Sequence, residues 1–204
     1  MLNKYARAFF TRVLTPIARA LVRAGVSPDV VTLIGTFGVC AGALAFYPRG
    51  EFLVGTLVIT AFVFSDLIDG TMARMTERSS RWGAFLDSTL DRFGDAAIFG
   101  GLVLWFAGRG DDMLLAGVAL FCLAVGAAVP YAKARAEGLG MTADVGIAER
   151  ADRLVVVLVA TGLDGLGVPY VQAAALWVLA VASAVTLVQR MLVVRRQALA
   201  GEPT

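Results

Sequence analysis

The sequence predicts an all-α integral membrane protein, six transmembrane helices preceded by an amphipathic helix on the membrane surface. Its residues are 58% hydrophobic and 17% charged, with a mean hydropathy of +0.77, too apolar for an ordinary soluble domain. Nearly charge-free runs about as long as a bilayer's hydrocarbon core is thick recur near 29–48, 52–73, 84–107, 113–133, 153–170 and 170–190. No soluble extension, low-complexity linker or internal repeat separates them. The 204 residues therefore read as a single membrane domain, with the bundle over 29–196 and the surface helix over 1–25.

In the surface helix, Lys4, Arg7, Arg12, Arg19 and Arg23 fall in one broad arc at helical spacing, leaving Phe9, Phe10, Val13, Leu14, Ile17 and Leu21 to the rest. That pattern suits a helix lying on an anionic membrane surface and bent near Pro16, or a solvated helix with one packed face. The basic residues are spread along the segment and no small-residue cleavage site follows, unlike a cleavable signal peptide. The first span contains Gly38-x-x-x-Gly42, a weak pointer to close helix contact. Cys40 and Cys122 fall inside spans and read as packing residues. The fifth span is the shortest and carries Asp164; with the sixth, which begins near Pro169, it reads as a tight hairpin.

An even number of crossings puts both termini on one side. The loops of the other side hold only Arg49 and Arg109 of the 18 Lys and Arg. By the positive-inside rule the terminal side is the cytoplasm, which implies a multi-pass protein of the plasma membrane.

The chemistry lies in "SDLIDGTMARMTERSSRWGAFLDSTLDRFGD", 65–95. An Asp at the centre of a membrane helix costs on the order of 3 kcal/mol even on a lenient scale, so this many require partners. Asp66 and Asp69 share one helix face at i,i+3, and Asp87 and Asp91 share another at i,i+4. A helical hairpin around 74–83 would bring the two pairs together. Divalent cations are the better candidates to neutralise them, because all-oxygen ligation suits Mg²⁺, Mn²⁺ or Ca²⁺. With no histidine in the chain, a zinc, copper or haem site is disfavoured and a general base near neutral pH would be a carboxylate. Two metals bridged by carboxylates form a clamp for displacement at phosphorus. Gly70 would let a phosphate or sugar approach the helix backbone, though helix packing explains a glycine equally well. Arg74 could reach a diphosphate or serve as an interfacial anchor.

Asp66-x-x-Asp69-Gly70-x-x-Ala73-Arg74, eight residues, then Gly83-x-x-x-Asp87-x-x-x-Asp91 resembles in full the signature of the CDP-alcohol phosphotransferases. The six spans and surface helix also look like that family. The resemblance implies a homodimer in which an acceptor hydroxyl attacks the β-phosphorus of a CDP-linked substrate and CMP leaves. It implies two Mg²⁺ ions, with Mn²⁺ as an alternative, one held by Asp66, Asp69 and Asp87 and the other by Asp66, Asp87 and Asp91. Asp91 would be the general base, and Gly70, Arg74 and the loop around Ser80 would hold the CDP moiety. Asp95 lies beyond the signature and has no catalytic role in it. The stretch "GVSPDVVTLIG" resembles the family segment beside the nucleotide, which adds Asp29, Val30, Val31 and Thr32 to the CDP-diacylglycerol contacts. Asp29 stands where many members carry Asn, and a plain helix N-cap is its other reading.

The acceptor is read from basic residues on the side of the aspartates. Lys133, Arg135, Arg150 and Arg153 stand near the ends of the fourth and fifth spans, and Arg190, Arg195 and Arg196 at the end of the sixth. Such a cluster suits a dianionic phosphate monoester better than a neutral acceptor. "PYAKARAEGLG…ERADR" with "QRMLVVRR" looks like the actinobacterial members that join CDP-diacylglycerol to 1D-myo-inositol 3-phosphate (L-myo-inositol 1-phosphate). That resemblance implies phosphate contacts by Lys133, Arg135, Arg153 and Arg195, with Arg190 and Arg196 competing for the last role. Glycerol 3-phosphate, also a monoester, is the alternative acceptor. A cation transporter would need acidic groups along the whole bundle, a lipid-binding scaffold would not need paired aspartates, and nothing suggests a nucleic-acid partner.

Overall fold

A computed structural model describes residues 15–75 and 81–201, apart from the side chains of Asp66, Leu67, Ala73 and Gly201. Lys4, Arg7, Arg12 and Ser80 lie outside the described residues. The described chain is helical, without strands: α1 (15–23), α2 (Pro28–Phe46), α3 (Phe52–Val63), α4 (Ser65–Met75), α5 (Arg81–Ala107), α6 (Met113–Glu137), α7 (Arg150–Gly165) and α8 (Val171–Gly201), with a short 3₁₀ turn at Tyr47–Arg49.

Among the described residues, four segments are long and apolar enough to cross a membrane, Pro28–Arg49, Phe52–Met72, Met113–Glu137 and Val171–Ala200, so the chain is a multi-pass membrane protein. The other two expected spans differ for separate reasons. The 27 residues of α5 give it the length, but it carries Asp87, Asp91, Arg92 and Asp95. The 16 residues of α7 rise only about 24 Å, short of a hydrocarbon core of about 30 Å.

By its contacts the chain forms two compact units, Met1–Ala45 with Leu57–Ile98, and Phe46–Thr56 with Phe99–Thr204. In the first, α1 closes with Val26 N donating to Leu21 O and Gly25 N to Val22 O, both at 3.0 Å. Gly25 supplies the left-handed φ of +77° this ending needs. The i, i+3, i+4 set Ala18, Leu21 and Val22 packs with Val26 around Val31 of α2 and Ile68 and Met72 of α4, while Arg19 and Arg23 are exposed.

The expected second span is interrupted at Phe64. Ser65 Oγ donates back to Phe62 O at 2.6 Å, the kind of side-chain bond that competes with the helical ladder. The interruption fits against glycines of α2: a Cβ on Gly35 would collide with Ser65, one on Gly38 with the Phe62 ring, and one on Gly42 would stand 3.0 Å from Val58 Cγ1. Gly38 and Gly42 are thus filled from within the chain.

In the second unit, α8 packs on α6 and α7 through a stripe of Leu176, Leu179, Ala180, Ser183, Thr186 and Arg190, all buried. Cys122 Sγ of α6 reaches Leu176 O at 3.4 Å, and Gln172 Nε2 of α8 donates to Thr161 Oγ1 of α7 at 3.2 Å. The stretch between α6 and α7 is stitched to α8. Gln197 Nε2 donates to Thr142 O at 2.6 Å, Arg190 Nε to Val145 O at 2.9 Å, and the Ile147 and Ala148 amides to Thr186 Oγ1 at 3.1 Å each.

Candidate functional site

The motif carboxylates are carried by α4 and α5 in the first unit. Asp69, on the face of α4 that also buries Met72, is 7% exposed. Its Oδ2 accepts a 2.5 Å hydrogen bond from Thr32 Oγ1 of α2, and its backbone neighbour Gly70 also hydrogen-bonds to it. The nearby charges acting on it are those of Asp87 and Asp91. Asp91 is half-buried and Asp87 exposed. Asp66 is on α4 one turn before Asp69, but its side chain lies outside the described set. Among the described residues, no three acidic or sulfur side chains are gathered tightly enough to form a metal cluster by themselves.

The donor set nevertheless fits a hard divalent cation. For a buried carboxylate that sees two further carboxylates, a hard cation nearby offsets both the loss of water and the like-charge repulsion. Among the described residues an arginine approaches: Arg92 Nη2 lies 3.7 Å from Asp91 Oδ2. At 3.7 Å this is an ion pair at the outer limit of reach, and it engages Asp91 and not Asp69.

The nucleotide-side residues separate by environment. Val31 and Thr32 are buried in the first turns of α2, Asp29 is half-buried and Val30 exposed. Val30 N donates to Ser27 Oγ at 3.4 Å, so Ser27 provides the cap and Asp29 is left in the first turn, where its charge suits the helix dipole. Arg74 is exposed, with Nη2 donating to Thr71 Oγ1 at 3.1 Å. At Gly70 an added Cβ would meet, among the described atoms, only Arg74 Nη1 at 3.7 Å. Packing among those atoms does not require this glycine. Gly70→Ala should therefore fold with a slightly raised Tm, since alanine is the better helix former by about 1 kcal/mol, yet lose at least about tenfold in turnover with a CDP-linked substrate. Unchanged kinetics would remove Gly70 from the ligand contacts.

A second set of residues lies in the other unit. A cavity of about 290 Å³ is lined by Val129, Pro130, Lys133, Ala134, Glu137, Glu149, Arg150, Arg153 and Arg190. The four basic side chains exceed the two acidic ones, so the cavity favours an anion. Of the expected phosphate contacts, Lys133 and Arg153 are in its wall; Arg135 and Arg195 are exposed and are not. Arg153 is 3% exposed and Arg190 6%. Lys133 pairs with Asp144 and, at 3.9 Å, with Glu137; the hydrogen bond from Lys133 holds the exposed Asp144 carboxyl below its usual range. Arg196 lines a separate apolar groove with Ile147, Leu192 and Val193.

Sequence reasoning left Arg190 as one of three competitors. Its position on the buried stripe of α8 was the available signal: at 100° per residue it falls within the arc of Leu176 to Thr186, whereas Arg195 and Arg196 fall outside it. Pro130 went unremarked, although a proline inside an apolar span always leaves a carbonyl to be accounted for.

The family model CDP-alcohol phosphatidyltransferase matches residues 25–143. The chain is 64% identical over 204 residues to the phosphatidylinositol phosphate synthase of Streptomyces avermitilis, covering 97% of this chain and 84% of that one. It is 51% identical over 201 residues to the phosphatidylinositol phosphate synthase of Cutibacterium acnes, covering 95% and 97%. The crystal structure of Mycobacterium tuberculosis phosphatidylinositol phosphate synthase with CDP-DAG bound superposes with a TM-score of 0.85 at 44% identity, over 90% of this chain and 94% of that one. The same enzyme in complex with manganese and citrate gives 0.85 at 43% identity, over 89% and 88%.

Proposed function

The chain belongs to the CDP-alcohol phosphatidyltransferase family, and on that premise we propose that it transfers the phosphatidyl group of CDP-diacylglycerol to 1D-myo-inositol 3-phosphate, giving phosphatidylinositol phosphate and CMP. The observation that carries the reading is Asp69, buried, fixed by Thr32 and facing the charges of Asp87 and Asp91. The names of the relatives supply the acceptor, and the basic cavity around Lys133, Arg153 and Arg190 is chemically suited to its phosphate.

Asp66, Asp69, Asp87 and Asp91 would hold two Mg²⁺ ions, with Mn²⁺ able to replace them. When bound, such ions polarise the phosphoryl oxygens and offset the charge that develops on the leaving CMP. The protein's own residues do the rest. Asp91 accepts the proton of the attacking hydroxyl as its oxygen bonds to the β-phosphorus and the bond from that phosphorus to CMP breaks. Asp29, Val30, Val31, Thr32, Gly70, Arg74 and Ser80 hold the CDP-diacylglycerol, and Lys133, Arg135, Arg153 and Arg195 serve the acceptor's phosphate, with Arg190 joining them from within the cavity.

The same reading gives a homodimer of single-domain chains at the plasma membrane, with six spans, an N-terminal surface helix, and both termini and the site at the cytoplasmic face. The 27-residue length of α5 supports the span count.

Purified protein in detergent should release CMP from CDP-diacylglycerol only when Mg²⁺ or Mn²⁺ and an acceptor are both present. Across inositol 1-phosphate, free inositol, glycerol 3-phosphate and serine, inositol 1-phosphate should turn over fastest. Turnover with glycerol 3-phosphate alone would overturn the acceptor.

A further inference from the structure

Pro130 lies inside α6. Its ring nitrogen carries no hydrogen, so the carbonyl one turn earlier, Gly126 O, loses its helical donor. In a helix that crosses a bilayer, a freed carbonyl needs a partner from a neighbouring element. Arg153 of α7 supplies one, its Nη2 donating to Gly126 O at 3.1 Å. The guanidinium lies directly against α6 at this turn: a Cβ added at Gly126 would stand in ordinary contact with it, 3.7 Å from Arg153 Cζ. One residue before the proline, Val129 O accepts from Arg190 Nη1 at 2.7 Å. The carbonyls around this proline thus seat two buried arginines, and both arginines line the basic cavity.

We propose that Pro130 is a positioning residue for the acceptor's phosphate: by withholding one main-chain donor it makes Gly126 O the seat on which Arg153 is held in the cavity wall. The inference rests on reading that cavity as the phosphate site. Pro130→Ala restores an N–H four residues beyond Gly126, gives the carbonyl a helical donor and loosens the hold on Arg153.

The test is a kinetic and thermal comparison of wild type, Pro130→Ala, Arg153→Gln and the double variant in detergent. The variable substrates are inositol 1-phosphate and CDP-diacylglycerol. Pro130→Ala should raise KM for inositol 1-phosphate about fivefold to tenfold and leave kcat and KM for CDP-diacylglycerol within about twofold. Its Tm should be unchanged or higher, because alanine suits a helix interior better than proline. Arg153→Gln should lower Tm in the wild-type background and less so in the Pro130→Ala background, where Gly126 O has its own donor; this coupling is what a double-mutant cycle measures. A wild-type acceptor KM in Pro130→Ala, or a Tm loss from Arg153→Gln of equal size in both backgrounds, overturns the positioning role. A wild-type acceptor KM in Arg153→Gln overturns the phosphate reading itself.

Discussion

Asp91→Asn is expected to lower CMP release by at least about three orders of magnitude in protein that elutes and melts like wild type. The side chain keeps its volume and loses its charge, so the change falls on chemistry. A positioned general base alone contributes about 10²- to 10⁴-fold, and the same substitution removes a charged oxygen from the proposed divalent-ion site. The structural loss is small by comparison. The pair with Arg92, 3.7 Å long and partly exposed, belongs to a class worth up to about 1 kcal/mol. Turnover near wild type would show that another group takes the proton. A fall of only about tenfold would assign Asp91 to the ion site without the base role. The matched control is Asp95→Asn, one turn further along α5 and outside the signature, where turnover should stay within a few-fold.

The aspartates were legible because their placement violates the solvent: acidic residues at i,i+3 and i,i+4 in apolar helices have to be explained by a ligand. Lys133 and Arg153 were legible in the same way, as charge near the ends of apolar runs. The break at Phe64 was not, because it depends on one serine hydroxyl folding back on Phe62, and Ser65 is an unremarkable residue in a sequence. Nor was the partnership of Thr32 and Asp69, 37 residues apart. Helical periodicity places residues on faces within one segment but does not say which helix stands opposite. The relation of Arg153 to Pro130 was hidden for that reason too. That relation exists only once α6 and α7 are both packed on α8. Hydropathy predicts six spans, with two of the paired aspartates on the third and Arg153 at the end of the short fifth; the charges on α5 and the 16-residue length of α7 set those two helices apart from the other four.

Thr32→Val should weaken Mn²⁺ binding about tenfold to a hundredfold in the absence of any substrate, the range expected when a hydrogen-bond partner of a metal-ligating carboxylate is removed. Both residues of the pair are buried, Thr32 at 7% exposure and Asp69 at 7%, and the bond is short at 2.5 Å. The hydroxyl therefore decides which way the Asp69 carboxylate faces and stabilises it as an anion. Valine has almost the shape of threonine without the donor, so it leaves one buried carboxylate oxygen without its Thr32 donor, free to rotate out of the ion site. Helix packing changes little, because the methyl that replaces the hydroxyl fills its space. Titration of Mn²⁺ monitored by electron paramagnetic resonance reads this directly, with Thr32→Ser, which keeps the hydroxyl, expected within about threefold of wild type. A Val variant that binds Mn²⁺ like wild type while Asp69→Asn does not would leave Asp69 a ligand and free Thr32 to serve the nucleotide alone. Unchanged binding in Asp69→Asn would instead remove the buried aspartate from the ion site and, with it, the observation on which the reaction was read.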